Sequence, residues 1–473
     1  MSDSTPKSKL KVRVPVKASV WYTASAVITK GVSMLSTPIF TRLLTESEYS
    51  SFPLYLTWLG LIGAVGGIDT SCGTLLSGMQ QFHGKKESFE KAANGYNLAN
   101  LIVVCTLYFA FYRFLGMFSP LTLTLSLIMF IQLFIDNVTG IRVARYRYEY
   151  RFKPVFFLNV FSAVSGALIA LCIVMLTAYD AIARQIGLLI ATGGVAAFIL
   201  VSVARNAGRI GDGAMWKFLA KASLPLIPQQ LASAVLVSAD RLMITGFYGR
   251  EALAKYSVAH SLGASVFFVT TGLSLALKPW IVRRMAKGDE QRVVEVVDLC
   301  TPLLSVAALL LIAISPEALS FLAPAEYRDS IFTVVPTALS VIPSFLLSVV
   351  TLCMVYNGKS FRTVIPTVIC ALLNVCLNAL LMRYFPYTVA AISAFISGAL
   401  SLVLNILSYK KACGGRLFSP FKNLSLILVA GLIGLFLYAI RSYLYLRAVI
   451  GLLIFTLAIP QLIKATRLVR EQE

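Results

Sequence analysis

Eight ionisable side chains stand where the chain is otherwise apolar: Lys30, Arg42, Asp69, Asp136, Asp240, Arg241, His260 and Lys278. In hydrocarbon such groups are costly, and they are retained where they meet a counter-charge or a watery interior. Two chemistries suit them. The cations Lys30, Arg42, Arg241 and Lys278 fit an anion, and arginine presents a planar fork matched to phosphate oxygens. Arg42 and Lys278 fall at span ends, where snorkelling to the interface is the ordinary role. Asp69, Asp136, Asp240 and His260 fit proton or cation coupling, or a structural lock between helices. Asp240 and Arg241 are adjacent and diverge by about 100° on a helix, so neither is the other's natural partner; Arg42 or Lys30 would serve Asp240 instead. Asn374 and Asn378, four residues apart, share a helix face and read first as interhelical contacts.

The elements that must position these residues follow from composition. The chain has 473 residues, 58% hydrophobic and 13% charged, with a mean hydropathy of +0.80. Soluble domains carry about 25% charged residues, so this is a polytopic membrane protein. Fourteen apolar segments are long enough to span: 18–40, 51–77, 94–112, 120–141, 155–177, 186–203, 224–244, 256–278, 299–314, 331–356, 364–382, 389–409, 424–440 and 448–463. The shortest is 299–314. The expected fold class is an all-α polytopic membrane protein of about fourteen transmembrane helices.

The net charge of +21 is a topology signal. Of the 42 lysines and arginines, 31 fall in the tails and the even-numbered connections, nine in the odd ones, and two, Lys30 and Arg241, inside spans. Basic residues are held on the cytoplasmic side, so both termini are expected there. Nucleic acid is not an expected partner. The cluster RVARYRYEYRFK, 142–153, suits anionic lipid headgroups instead. On this orientation Lys30 lies just past mid-membrane, Arg42 at the outer edge, Asp69 and Asp136 in the inner third, Asp240 and Arg241 near the outer end of their span, and Lys278 at the inner face. His260 begins the span that Lys278 ends.

The basic start of the chain precedes a long apolar run without a cleavage pattern, and reads as an uncleaved first span. The eight cysteines are scattered through apolar runs and read as small apolar residues.

The chain also repeats itself. LLTESEYSSFPLYLTW, an apolar span and HGKKESFEKAAN are echoed by YGREALAKYSVAHSLG, an apolar span and MAKGDEQRVVEVVD, with Tyr49-Ser50 matching Tyr256-Ser257. Six spans separate the copies, so the halves share one orientation and a pseudo-two-fold along the membrane normal is expected. The organisation reads as a basic tail at 1–17, a six-helix bundle at 18–203, a cytoplasmic linker at 204–221, a second six-helix bundle at 222–409, an extra helix pair at 424–463 and a tail at 464–473. Pro38, Pro225, Pro228, Pro279, Pro336, Pro343 and Pro366 are candidate hinges.

No outer connection exceeds about sixteen residues, the longest being 315–330, which leaves no room for the extramembrane domain of a membrane glycosyltransferase. There is no Walker motif and no His/Cys metal cluster, so neither ATP hydrolysis nor a metal or other cofactor is expected, and the chain does not read as an enzyme.

STPIFTRLLTESEY at 36–49, ADRLMITGFYG at 239–249, KPWIVRRMAKGD at 278–289, APAEYRDSIFTVVP at 323–336 and NGKSFRTVIPTVICALLNVCLNALLM at 357–382 together resemble the polysaccharide-transport proteins of the MOP superfamily, the O-antigen (Wzx-type) flippases. The resemblance covers about residues 35–410. It implies two six-helix bundles opening alternately to each side of a bacterial inner membrane and moving a polyprenyl-diphosphate-linked oligosaccharide outward. The implied partners are that lipid-linked anionic oligosaccharide, the lipid bilayer, H+ or Na+ for coupling, and polysaccharide polymerase or chain-length proteins. Lys30, Arg42, Arg241 and Lys278 would form the diphosphate path, and the C-terminal helix pair a side groove. The related multidrug antiporters are the alternative. Their cationic substrates call for a carboxylate-dominated cavity.

Overall fold

In lipid every backbone polar group must be satisfied internally, and a chain this apolar meets that demand with helices. A computed structural model describes residues 7–67, 74–113, 121–149, 151–176, 182–205, 209–414 and 420–470, and among them no strand occurs. The chain divides into two compact units, Met1–Gly246 and Phe247–Glu473.

The first unit contains α1 (Lys7–Leu43), α2 (Glu46–Gly66), α3 (Thr74–Gln81), α4 (Lys86–Ala110), α5 (Leu123–Tyr148), α6 (Phe152–Leu176), α7 (Ala183–Ala204) and α8 (Gly213–Ser223), and it takes in most of the first part of α9 (Ile227–Gly263). At 37 residues α1 extends about 55 Å, well beyond a hydrocarbon core of about 30 Å. Helices α6 and α7 approach closely through small residues. A Cβ on Gly187 would stand 2.6 Å from the Ala170 nitrogen and 2.7 Å from the Gly166 oxygen.

The second unit adds α10 (Phe267–Ala286), α11 (Glu290–Leu322), α12 (Val334–Leu339), α13 (Val341–Tyr356), α14 (Val364–Leu381), α15 (Val389–Cys413), α16 (Pro420–Ala439) and α17 (Leu444–Arg470). One continuous apolar core runs through it, built from Leu304, Ala308 and Ile312 of α11, Ile342 and Phe345 of α13, Leu402 of α15 and Ile427 of α16.

Ten helices among the described residues are long and apolar enough to cross a membrane, one stretch of them, 213–274, covering the segment 224–244 and most of 256–278. The segments 18–40, 51–77 and 94–112 fall on α1, α2 and α4. Segment 51–77 is not one helix: α2 stops at Gly66, and the amide of Gly67 closes it onto the Gly63 carbonyl.

Three connections differ from expectation. The stretch 204–221 contains α8, whose Met215 and Leu219 are buried against Leu75, Phe89 and Ile141, while the Trp216 indole donates to the carbonyls of Ala92 and Ile210. Its basic residues hid an apolar stripe at helical spacing. The connection 315–330 is mostly helix, because α11 runs on to Leu322 with Pro302 and Pro316 inside it and a 3-10 turn follows at Ala325–Thr333. The chain kinks sharply near residue 249, where the first helical part of α9 ends and the second begins. There Gly249 adopts φ 84° and ψ −176°, a region open essentially to glycine. Pro225 lies in a 3-10 turn, Leu224–Leu226, and Pro228 in the first turn of α9, both helix-entry positions.

Candidate functional site

Helical spacing places Lys30 on one face of α1 with Ala26, Ser33, Thr37 and Thr41, opposite the exposed apolar stripe of Ile28, Leu35 and Ile39. Lys30 is exposed. A membrane helix with an apolar stripe on one side and an exposed lysine among hydroxyls on the other has a lipid side and a polar side. Arg42 lies twelve residues on, roughly 18 Å along the axis, exposed and donating to the Pro38 carbonyl at 2.9 Å.

On α9, Arg241 is half-buried and shares a face with Gln230, Ala234 and Thr245. The Thr245 hydroxyl donates to the Arg241 carbonyl at 2.7 Å. Asp240 turns the other way and is buried, 4% exposed. A buried carboxylate is tolerable only with a partner, which suits a structural lock.

Asp136 on α5 is exposed and accepts from the Gln132 amide at 2.7 Å. Gln132 is fully buried and is itself held by Thr192 of α7 at 3.1 Å. The carboxylate is therefore aimed by a fixed amide rather than left to rotate. Asp69 lies outside the described residues. His260 is half-buried with its ring 5.6 Å from that of Tyr256, and Lys278 is exposed on α10. Asn374 and Asn378 are both fully buried and bond to each other at 3.3 Å. Lys30, Arg42, Asp136, Asp240 and Arg241 belong to the first unit, His260 and Lys278 to the second.

Sequence reasoning missed three charged systems, all counted as connection residues. The carboxylate of Glu90 on α4 is completely buried between two arginines of α5, with Arg142 at 2.5 Å and Arg145 at 2.7 Å. Arg145 also holds Glu87 and Glu149, each at 3.0 Å. Arg184, at the start of α7, places its guanidinium over Phe52 at 4.1 Å, Phe40 at 4.7 Å and Tyr49 at 5.5 Å. In the second unit Arg447 of α17, 3% exposed, forks onto Glu317 of α11 at 2.6 and 2.9 Å and donates to the Ala313 carbonyl. The one hint in sequence was position: Arg184 and Arg447 each stand beside an apolar run, not in the middle of a polar connection.

Arg447 and Glu317 close one end of a groove of about 600 Å³ lined mainly by Val266, Leu310, Ile314, Gly451 and Phe455. The groove lies between α17 and α11, and none of its lining residues belongs to α16. Among the described residues, no group of three His, Cys, Asp or Glu is placed to hold a metal.

The MatE family model matches residues 225–380. No curated protein sequence matches the chain. Among solved structures, the lipid II flippase MurJ in an inward closed conformation aligns with a TM-score of 0.71 at 12% identity, covering 93% of this chain and 98% of that one. An outward-facing multidrug resistance MATE family transporter of the MOP superfamily aligns at 0.60 with 13% identity, covering 84% and 95%. An inward-facing one aligns at 0.58 with 11% identity, covering 85% and 95%. At such identities the likeness speaks to architecture: the chain is an all-helical membrane protein with the fold of the MOP flippases and transporters.

Proposed function

We propose that this chain is a flippase of the O-antigen (Wzx) kind, moving a polyprenyl-diphosphate-linked oligosaccharide from the cytoplasmic to the outer leaflet of a bacterial inner membrane by alternating access, with both termini cytoplasmic. The observation that carries this reading is the exposed Lys30 on the polar face of α1, with its lipid side on the opposite face. A diphosphate is anionic at every relevant pH, and a cation on a polar face offsets the cost of bringing it across hydrocarbon. Arg241 of α9, half-buried and on a face with Gln230 and Thr245, is a second intrahelical cation just before the second copy of the sequence repeat, and Arg42 and Lys278 extend the cationic path at the helix ends. The apolar groove between α11 and α17 gives a lipid tail a surface beside the protein. Asp136, Asp240 and His260 are left for coupling to H+ or Na+, or for locking helices.

The test is export of surface glycan in cells carrying Lys30→Ala or Arg241→Ala at matched membrane levels. Either substitution should cut export by at least tenfold, the equivalent of losing about 1.4 kcal/mol of phosphate interaction. Normal export in both variants removes the diphosphate path.

A second reading, a multidrug antiporter, is favoured by the family-model match at 225–380 and by the aimed carboxylate of Asp136. Under it, a strain lacking the protein becomes drug-sensitive while its surface glycan stays normal.

A further inference from the structure

The first unit carries an apolar groove apart from Lys30, Arg42, Asp136, Asp240 and Arg241, beside the basic cluster 142–153. It has a volume of about 610 Å³ and is lined by Tyr146 of α5, Pro154, Phe157, Phe161 and Val164 of α6, and Phe198 of α7. That is within the range of ligand-sized pockets. It is open outward: Phe157 is 62% exposed, Phe161 60% and Phe198 74%. In a membrane protein such aromatic walls meet lipid, and an apolar groove alone would take any chain.

The end of the groove gives it a sign. Tyr146 lies in the last turn of α5 and Pro154 in the first turn of α6, and between them the chain presents Arg151, with 62% of its side chain exposed, and the exposed Lys153. The Arg151 guanidinium lies 5.9 Å from the ring centroid of Tyr146, itself a wall of the groove. Of the acidic groups nearby, Glu149 is committed to Arg145 at 3.0 Å and is 3.9 Å from Arg151, while Glu90 is enclosed by Arg142 and Arg145. The helix α7 ends at the same end of the unit, followed by the exposed Arg205. Two accessible cations at the mouth of an aromatic trough match a molecule with one negative head and a long apolar chain. Arg beside a tyrosine ring suits a phosphate at the membrane interface.

We propose that this groove is a binding site for an anionic glycerophospholipid, its phosphate held by Arg151 and Lys153 and one acyl chain lying along Phe157, Phe161 and Phe198. The site requires no assumption about the transported substrate.

Native mass spectrometry of the full-length protein in detergent, titrated with phosphatidylglycerol, phosphatidylcholine or a polyprenyl phosphate, tests it. Wild-type protein should retain phosphatidylglycerol in preference to phosphatidylcholine. The double variant Arg151→Gln with Lys153→Gln should lose that retention by roughly 30-fold, two interfacial charges being removed. Arg151→Lys should keep most of it, and Val164→Trp, which fills the groove without altering charge, should release lipid of every class. Unchanged thermal unfolding of each variant establishes that the fold is intact. Equal retention of phosphatidylglycerol by wild type and double variant, equal retention of phosphatidylcholine by wild type, or retention of the polyprenyl phosphate alone overturns the proposal.

Discussion

The two copies of the sequence repeat turn the same corner with different chemistry. In the first, α1 gives way to α2 through a capping box: the Thr45 amide donates to Glu48 at 2.9 Å, and the Glu48 amide donates to the Thr45 hydroxyl at 3.3 Å. Arg184 then covers Phe40, Tyr49 and Phe52 from α7. In the second, Gly249 makes the turn by its own backbone, and the Tyr248 hydroxyl bonds the carbonyls of Met382, at 2.6 Å, and Phe385. What the copies share is the packing pair: Tyr49 and Ser50 are buried, as are Tyr256 and Ser257. The repeat thus preserves the apolar seat of the corner, while its fastening is free to be ionic and aromatic in one unit and conformational in the other. The cores follow suit. Among the described residues, an apolar cluster of the second unit runs from α11 through α13 and α15 to α16, and the first unit holds a buried carboxylate pinned by two arginines.

The contrast predicts different vulnerabilities. Glu90→Ala should be the most damaging change, because it leaves Arg142 and Arg145 without their shared counter-charge. A loss of about 3–5 kcal/mol is expected, read as lower thermal stability in detergent, and replacing Glu90 and Arg142 together with apolar residues should recover part of it. If Glu90→Ala melts like wild type, the first unit is not held by this network. Next in size is Gly249→Ala, which forces a side chain into the glycine-only region and should cost about 1–3 kcal/mol. A neutral result there would mean that the corner relaxes freely and that its backbone does not fasten it. Smallest is Thr45→Ala, at about 1 kcal/mol, since only the cap is removed and Arg184 still holds the corner. Combining it with Arg184→Gln should cost more than the two changes separately if cap and cation secure one corner together.

Much of this architecture was written along the chain. Apolar length located the long helices, and the spacing of Tyr49-Ser50 and Tyr256-Ser257 marked the sequence repeat. The shortest apolar segment, 299–314, lies within a 33-residue helix that begins in polar sequence at Glu290 and runs on to Leu322. The amphipathic α8 was hidden by its lysines, although Met215 and Leu219 had the spacing of a buried face. Arg184 and Arg447 were counted as signals of topology, and each proved to be enclosed by partners far away in sequence.

The sequence alone therefore determined what depends on neighbours along the chain: which segments must be helical, and that Lys30 and Arg241 stand on long apolar helices. A backbone in hydrocarbon has no other way to satisfy its hydrogen bonds, so composition suffices. Tertiary structure decided which charges are spent on stability and which remain exposed. Glu90 meets Arg145 across 55 residues and Glu317 meets Arg447 across 130, and no local pattern encodes a partner at that distance. Pairing of buried ions is fixed by packing between helices, because only there does the desolvation of one charge oblige another to approach.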